Sequence, residues 1–271
     1  MSKPLALILR TAGTNCDVEL AHAFELAGSR TESIHLNRLI ENPAQLDRFD
    51  LLGFPGGFSY GDDIAAGRIL ANRLRHRLYP ALRKFIADRK PIIGICNGFQ
   101  VLVKTGLLPD FDANAADDSP RAQTVTLTDN ALPRFVDRWV GLTAEPHSVC
   151  IWTRGIDTLD LPIAHGEGRF VAADDVLDRL DTHHQIALRY TTNPNGSMRD
   201  IAGVCDPTGV VFGLMPHPER YTDITHHPQW TRRNDDHTSG GGGDFIPPGL
   251  QIFRNAVAYV ESRAATPAAG N

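Results

Sequence analysis

The chain has 271 residues, of which 42% are hydrophobic and 22% are charged, and its formal net charge at pH 7 is -5. This composition is typical of a globular protein with a complete hydrophobic core, and the length favours one large α/β domain over two small ones. The net negative charge argues against a nucleic-acid or anionic-membrane partner, so we expect neither.

Neither the start of the sequence nor its cysteines indicate export. The apolar run at residues 5–9 is too short for a signal peptide or a membrane-spanning helix, so we expect a cytoplasmic protein. The cysteines are far apart and form no C-x-x-C pair, which argues against a zinc site and a disulfide framework. One of them can be catalytic, and we expect structural roles for the others. The four cysteines of the chain are Cys16, Cys96, Cys150 and Cys205.

Strand-like and helix-like runs alternate in the first part of the chain. This alternation predicts an α/β fold with a mostly parallel sheet flanked by helices. The predicted strands are residues 5–9, 31–36, 50–54 and 92–95, and the predicted helices are residues 17–27 and 64–87.

After residue 111 the pattern changes to shorter β-rich segments, which we interpret as extra and closing strands of the same domain, residues 1–264. These segments are residues 123–127, 138–143, 148–153, 161–164, 185–190 and 210–215. Residues 221–248 contain the run SGGGGD and have no apolar period, so they predict a long mobile surface loop. A helix at residues 250–261 follows, and residues 265–271 predict a frayed tail.

The heptapeptide GICNGFQ, residues 94–100, places Cys96 at a strand-to-helix corner. Gly94 and Gly98 flank the cysteine and give a G-x-C-x-G version of the nucleophile elbow, where glycines allow a sharp turn. The backbone amides that begin the following helix, starting with Asn97, point unpaired N–H groups at the sulfur and at any oxyanion beside it. This segment therefore predicts a cysteine nucleophile.

A nucleophilic cysteine needs a general base and an orienting carboxylate. The segment MPHPERY, residues 215–221, offers both just past a predicted strand, at the sheet edge that holds the site in open α/β folds. If residues 216–219 are extended, His217 and Glu219 project to the same side and can complete a Cys-His-Glu triad. The alternative is a surface histidine between two prolines.

Two further segments follow predicted strands. FPGGFSYGDD, residues 54–63, supplies Gly56 and Gly57, which let the backbone approach a ligand closely; alternatively, it is a simple turn. AHGEGRF, residues 164–170, offers His165 and Glu167 as a rival base and acid. Its flanking glycines predict a looser loop, so we favour a ligand-contacting or partner-facing role for His165, with a structural histidine as the alternative.

Other features carry no chemistry. The neighbouring histidines His183 and His184, and His226 and His227, lack the spacing or carboxylate company of a metal site, so we expect no metal. No G-x-x-x-x-G-K-[ST] motif is present, so another polypeptide must bind ATP if the overall reaction consumes it.

The motifs PGGFSYGDD, GICNGFQ, AHGEGRF, NPNGSMRDIAG and MPHPER occur in this order. Together they resemble the glutaminase subunits of phosphoribosylformylglycinamidine synthases, a branch of the class I glutamine amidotransferase family, over nearly the whole chain. The resemblance implies a flavodoxin-like sheet with extra antiparallel strands, and it implies Cys96 as nucleophile, His217 as base and Glu219 as its partner. The oxyanion-hole and glutamine-binding residues that it implies are Gly56, Gly57, Phe58, Asn97, Gln100 and His165.

The implied reaction is hydrolysis of glutamine to glutamate and ammonia through a thioester on Cys96. The ammonia would pass to a large ATP-dependent synthetase subunit that makes formylglycinamidine ribonucleotide in purine biosynthesis. No cofactor is expected on this chain, and ATP and magnesium are expected on the synthetase. Residues 221–248 make the chain longer than short members of the family. The sequence therefore does not decide whether the complex needs a small third subunit. Our hypothesis is that this segment contacts the synthetase.

Two other functions remain possible from the sequence. One is a stand-alone cysteine hydrolase, such as a γ-glutamyl hydrolase or an intracellular peptidase-like protein, which needs no partner. The other is a non-catalytic scaffold subunit that has kept the fold. FSYGD and NPNGSMRDIAG argue against the hydrolase, and the filled triad positions argue against the scaffold.

Overall fold

The computed structural model describes residues 3–111, 119–232 and 246–265. The strands are β1 (Leu5–Arg10), β2 (Arg30–His35), β3 (Leu51–Phe54), β4 (Ile92–Ile95), β5 (Val125–Thr128), β6 (Val136–Ala144), β7 (Thr158–His165), β8 (Arg169–Ala172), β9 (Ile186–Tyr190), β10 (Ile201–Cys205) and β11 (Val211–Leu214). The α-helices are α1 (Asp17–Leu26), α2 (Leu36–Glu41), α3 (Arg68–Arg77), α4 (Tyr79–Ala87), α5 (Asn97–Thr105), α6 (Asp174–Thr182) and α7 (Pro248–Ala265).

A nine-stranded sheet organises the described residues, with the strand order β2-β1-β3-β4-β11-β10-β9-β6-β7. The first five strands in this order pair in parallel, and β10, β9, β6 and β7 extend the sheet through antiparallel pairs. β5 and β8 form a separate antiparallel pair. The predicted α/β class, with a mostly parallel sheet and extra antiparallel strands, is confirmed.

Helices cover both faces of the central strands. A side chain at Gly53 in β3 would meet Leu20 and Phe24 of α1, whereas the next residue, Phe54, contacts Gly98 of α5. Because successive residues of a strand point to opposite faces, α1 and α5 lie on opposite sides of the sheet. β3 and β4 are buried along their whole length, which explains why each reads as a continuous apolar run.

Two predicted elements differ from the structure. The helix predicted at residues 64–87 is two helices, α3 and α4, because Pro80 near the start of α4 lacks the N–H that a continuous helix needs there. The strand predicted within residues 148–153 is wrong: Ile151–Thr153 is a 3-10 helix. Its fully buried Trp152 donates through Nε1 to the carbonyl of Val210, which fixes this turn against the sheet.

The surface loop predicted at residues 221–248 is wrong for its first part. Tyr221, Thr222 and His227 are buried, and the His227 ring lies 4.6 Å from that of Trp139. The helix that follows begins at Pro248, two residues before the predicted start. Residues 233–245, which include the SGGGGD run of the segment expected to contact the synthetase, lie outside the described residues, as do residues 266–271 of the predicted tail.

Within the described ranges, no helix combines the length and the apolar character that crossing a membrane requires.

Candidate active site

Cys96 lies at the corner between β4 and α5 in a conformation that few non-glycine residues adopt. Its φ is 53° and its ψ is -107°. A Cβ on Gly98 would lie 2.0 Å from the carbonyl oxygen of Phe54, and one on Gly94 would lie 2.7 Å from that of Gly98. No larger side chain fits at either position, so these two glycines allow the tight turn that presents the Cys96 sulfur beyond the sheet.

The sulfur reaches a cavity of about 440 Å³. Several of the residues implied by the resemblance line its wall: Gly57, Phe58, Cys96, Gln100, His165 and His217. The other three, Gly56, Asn97 and Glu219, are buried. The structure therefore brings together segments that are separated by more than a hundred residues in the chain.

His217 and Glu219 form a buried hydrogen-bonded pair just past β11. Nδ1 of His217 lies 2.6 Å from Oε1 of Glu219. The extended geometry assumed for residues 216–219 is wrong, because Pro218–Arg220 forms a 3-10 turn. The turn brings the carboxylate back to the imidazole, so the two side chains still meet. The bond places the Nδ1 proton toward Glu219 and leaves Nε2 for the cavity side of the ring.

The environment of His217 favours its protonated form. Burial disfavours the charged imidazole, but the Glu219 carboxylate and then the nearby Cys96 outweigh it and hold the pKa of His217 well above its ordinary value of 6.5. A protonated imidazole beside a thiol stabilises the thiolate, which is the reactive form of cysteine. His217 is therefore suited to hold a proton beside the Cys96 sulfur.

Gly56 lies between the nucleophile and the base. A Cβ there would lie 2.9 Å from Cε1 of His217 and 3.5 Å from Cβ of Cys96. At the next residue, Gly57, φ is 138° and a Cβ would lie 2.7 Å from the carbonyl oxygen of Gly13. These close approaches explain the Pro-Gly-Gly sequence by packing. The N–H of Phe58 donates to Gly13, so this amide is already engaged.

Asn97 connects the start of α5 to the loop after β3. Its Oδ1 accepts from the backbone N–H of Ser59 at 3.2 Å, and its Nδ2 donates to Oε1 of Gln100 at 3.0 Å. Gln100 in turn donates to the carbonyl of Glu167 at 2.6 Å. This chain of hydrogen bonds fixes the cavity wall on both sides of Cys96, while the backbone N–H of Asn97 belongs to the unpaired first turn of the helix.

His165 occupies the end of β7 and is neutral. Burial, followed by the charge of His217, lowers its pKa from 6.5 to about 4. Its Nδ1 lies 3.0 Å from Oδ1 of Asn130, so an amide and not the Glu167 carboxylate orients the ring. The rival base and acid pair is therefore not assembled. The residue is 3% exposed, which argues against a partner-facing role, and a ligand-contacting role stays a prediction.

Cys16 also lies in this site, although its position in the sequence predicts only a structural role. It follows β1, lines the cavity, and its Sγ lies 3.2 Å from Nη2 of Arg220. Burial raises the pKa of its thiol, and the proximity of His217 opposes this effect in part. The strand-end argument applied to residues 215–221 would have found Cys16 as well, because it follows a parallel strand of the same sheet.

The geometry can be compared with known proteins. A family model described as the CobB/CobQ-like glutamine amidotransferase domain matches residues 3–260. The chain belongs to this glutamine amidotransferase family. The predicted enzyme class, a glutamine amidotransferase, is confirmed.

Relatives within this amidotransferase family match nearly the whole chain. The phosphoribosylformylglycinamidine synthase subunit PurQ of Dehalococcoides mccartyi is 46% identical over 266 residues, covering 96% of this chain and 98% of that protein. The PurQ subunit of Methanococcus maripaludis strain S2 is 40% identical, covering 94% and 97%. A solved structure of PurLQS from Thermotoga maritima has a chain that is 32% identical, with a TM-score of 0.71, covering 95% of this chain and 99% of that one.

Proposed function

We infer that this chain is the glutaminase subunit of a phosphoribosylformylglycinamidine synthase. It hydrolyses glutamine and delivers the ammonia to a synthetase that converts formylglycinamide ribonucleotide into formylglycinamidine ribonucleotide. The observation that carries this proposal is the cavity in which Cys96, on a strained corner, lies beside the hydrogen-bonded pair of His217 and Glu219. The end-to-end similarity to PurQ subunits supports the choice of this branch of the family.

The geometry supports a thioester mechanism. Thiolate Sγ of Cys96 attacks the side-chain carbonyl carbon of glutamine, while protonated His217 retains the proton taken from the thiol. The backbone N–H groups of Asn97 and Gly57 stabilise the oxyanion, and each such donor is worth roughly 10² to 10³ in rate. As the tetrahedral intermediate collapses, His217 gives its proton to the departing ammonia, and the γ-glutamyl thioester remains on Cys96.

The second half of the reaction uses the same groups. Neutral His217 takes a proton from a water molecule, the resulting hydroxide attacks the thioester, and glutamate leaves as the Cys96 thiolate re-forms. Glu219 remains ionised throughout and stabilises the imidazolium in both halves. General acid-base catalysis of this kind is worth roughly 10² to 10⁴ in rate.

The product explains why a partner is needed. Ammonia released into water becomes protonated and loses its nucleophilicity, so we propose that it passes directly to a large ATP-dependent synthetase subunit. We propose that ATP and magnesium act on that subunit; the absence of a G-x-x-x-x-G-K-[ST] motif from the present sequence supports this. We also propose a small third subunit in the complex and a cytoplasmic location.

A reconstituted complex tests the proposal. Cys96→Ala should abolish glutamine-dependent synthesis and leave ammonia-dependent synthesis intact, whereas Cys150→Ala, a buried cysteine outside the cavity wall, is the matched control. Loss of both activities in Cys96→Ala would support a scaffold role. Full glutaminase activity of the isolated wild-type chain, with no increase on adding the synthetase, would support a stand-alone hydrolase.

A further inference from the structure

Three groups of the kind that bind metal ions converge beside the catalytic cysteine. Sγ of Cys16, a ring nitrogen of His217 and a carboxylate oxygen of Glu219 all lie within 4.8 Å of one another. All three residues are buried, with exposed fractions of 2%, 2% and 4%. Their positions in the sequence, one after β1 and two after β11, explain why spacing along the chain gave no sign of a metal site.

Two atoms of this cluster lack a hydrogen-bond partner. Nε2 of His217 and Oε2 of Glu219 are buried, and neither makes a hydrogen bond of standard geometry with the residues that the structure describes, although the thiols of Cys16 and Cys96 lie close enough to His217 to interact with its ring. A buried polar atom without a partner is costly and calls for an explanation, such as a bound ion. Here the two atoms belong to adjacent side chains that already lie near a thiol.

We propose that Cys16, His217 and Glu219 form a binding site for a thiophilic divalent cation, with Zn²⁺ as the best fit. Zinc combines one sulfur, one imidazole nitrogen and one carboxylate oxygen readily, and its bond lengths place any two ligands at most about 4.4 Å apart. At a tetrahedral centre these bond lengths place the ligand atoms about 3.5 Å apart. The cluster, whose atoms now lie within 4.8 Å of one another, must therefore contract, and the carboxylate of Glu219 must turn from its hydrogen bond with Nδ1 of His217 toward the ion. The cavity supplies space for water at the fourth position.

The proposed ion is an inhibitor of the amidotransferase, not a cofactor. Binding converts the Cys16 thiol into a metal thiolate and also requires the neutral form of His217, so it releases two protons to solvent, one from each ligand. The ion occupies the imidazole and the carboxylate that the glutaminase reaction needs, so metal binding and catalysis exclude each other. Metal binding itself requires no glutamine, no synthetase and no turnover, and it can therefore be tested independently of the proposed function.

Arg220 limits the affinity of this site. Its Nη2 lies 3.2 Å from the Cys16 sulfur, and its Nε lies 3.5 Å from Oε1 of Glu19. The guanidinium therefore occupies the neighbourhood of the thiolate and repels an incoming cation. The side chain is one-third exposed and can move outward toward Glu19. Arg220→Met should remove this competition and tighten metal binding.

Cobalt is a suitable probe of the ligand set, because a Co²⁺–thiolate bond gives a near-ultraviolet charge-transfer absorption. The full-length wild-type chain, Cys96→Ser and the control Cys150→Ser should each bind one Co²⁺ and show this absorption. Cys16→Ser should lose it. Competition between the protein and a chromophoric chelator for Zn²⁺ should show an affinity lowered at least about 10- to 100-fold in Cys16→Ser, the range seen when even outer ligand contacts are removed.

A second measurement covers any variant with altered folding. Zn²⁺ should raise the melting temperature of the wild type and of Cys150→Ser, and should leave that of folded Cys16→Ser unchanged. Absorption that persists in Cys16→Ser but disappears in Cys96→Ser would overturn the proposal, because the ion would then bind the nucleophile alone. The absence of saturable binding by wild-type protein up to millimolar Zn²⁺ would also overturn it.

Discussion

His217 donates through Nδ1 to Oε1 of Glu219 at 2.6 Å, although the two residues are separated by a single proline in a 3-10 turn. A short turn of this kind fixes both side chains with little freedom, because Pro218 restricts its own φ and the conformation of His217. The same hydrogen bond selects the tautomer of the His217 imidazole, and the Glu219 charge raises the pKa of His217. The electrostatics of the candidate site therefore depend on one contact between near neighbours.

Removing the carboxylate charge should disable this arrangement. In Glu219→Gln the amide can accept the Nδ1 proton but provides no negative charge for the imidazolium, so glutamine-dependent synthesis should fall by about 10²- to 10⁴-fold. Ammonia-dependent synthesis by the reconstituted complex should remain at the wild-type level. A glutamine-dependent rate within a factor of two of wild type would show that Glu219 does not orient the base.

The same pair should make stability depend on pH. Because the folded-state pKa of His217 is raised, the unfolding free energy that the pair contributes is complete below the unfolded-state value near 6.5 and is lost as pH rises through the folded-state pKa. Urea unfolding of wild type and Glu219→Gln should therefore show a difference that shrinks toward alkaline pH. A difference that is constant from pH 6 to pH 10 would contradict the assignment.

His165 should have the opposite dependence. Its pKa is lowered to about 4, so the folded state excludes a proton that the unfolded chain binds below about pH 6.5. As pH falls from 6.5 to 4, wild type should lose about 3 kcal/mol of unfolding free energy relative to His165→Asn, by the linkage of proton binding to folding. Urea titrations across this range measure the difference. The exposed residue His22 on α1 provides the control variant, His22→Asn, which should follow wild type.

The contrast between Cys96 and Cys16 shows how far the sequence could predict this site. Cys96 was identifiable because two glycines and adjoining apolar runs encode its corner locally. Cys16 has no such local signal: only its position after a parallel strand could have indicated it, and many residues share that kind of position. The extended conformation predicted for residues 216–219 is also wrong, because the alternation of side chains along a strand does not apply to the 3-10 helix at Pro218–Arg220.

In the fold, too, elements with a local sequence signal were predictable, and elements that depend on distant contacts were not. β3 and β4 were predictable because strands buried on both faces are continuous apolar runs. β8 and β10 were missed because each begins inside a segment rich in turn-forming residues: β8 begins within AHGEGRF, and β10 begins within NPNGSMRDIAG. The burial of Tyr221 and His227 depends on Trp139 from a distant strand, so the polar composition of this segment indicated a surface loop instead.

Gly56 gives the most local test of the candidate site. In Gly56→Ala the new methyl group would lie 2.9 Å from Cε1 of His217 and 3.1 Å from Sγ of Cys16, and it would crowd Cβ of Cys96. The imidazole must shift relative to the thiol, and displacements of about 1 Å at a reacting centre can cost about 10²-fold in rate. We therefore expect a loss of about that size in glutamine-dependent synthesis, with ammonia-dependent synthesis unchanged.

Gly166→Ala is the matched control for this prediction. Gly166 lies on the wall of the same cavity, but a Cβ there meets no atom within 4 Å. The added methyl group leaves the Cys96 and His217 geometry intact, so the rate should fall far less than in Gly56→Ala. Equal losses in the two variants would mean that filling the cavity, and not separating base from nucleophile, causes the defect, and the packing argument for Gly56 would then be wrong.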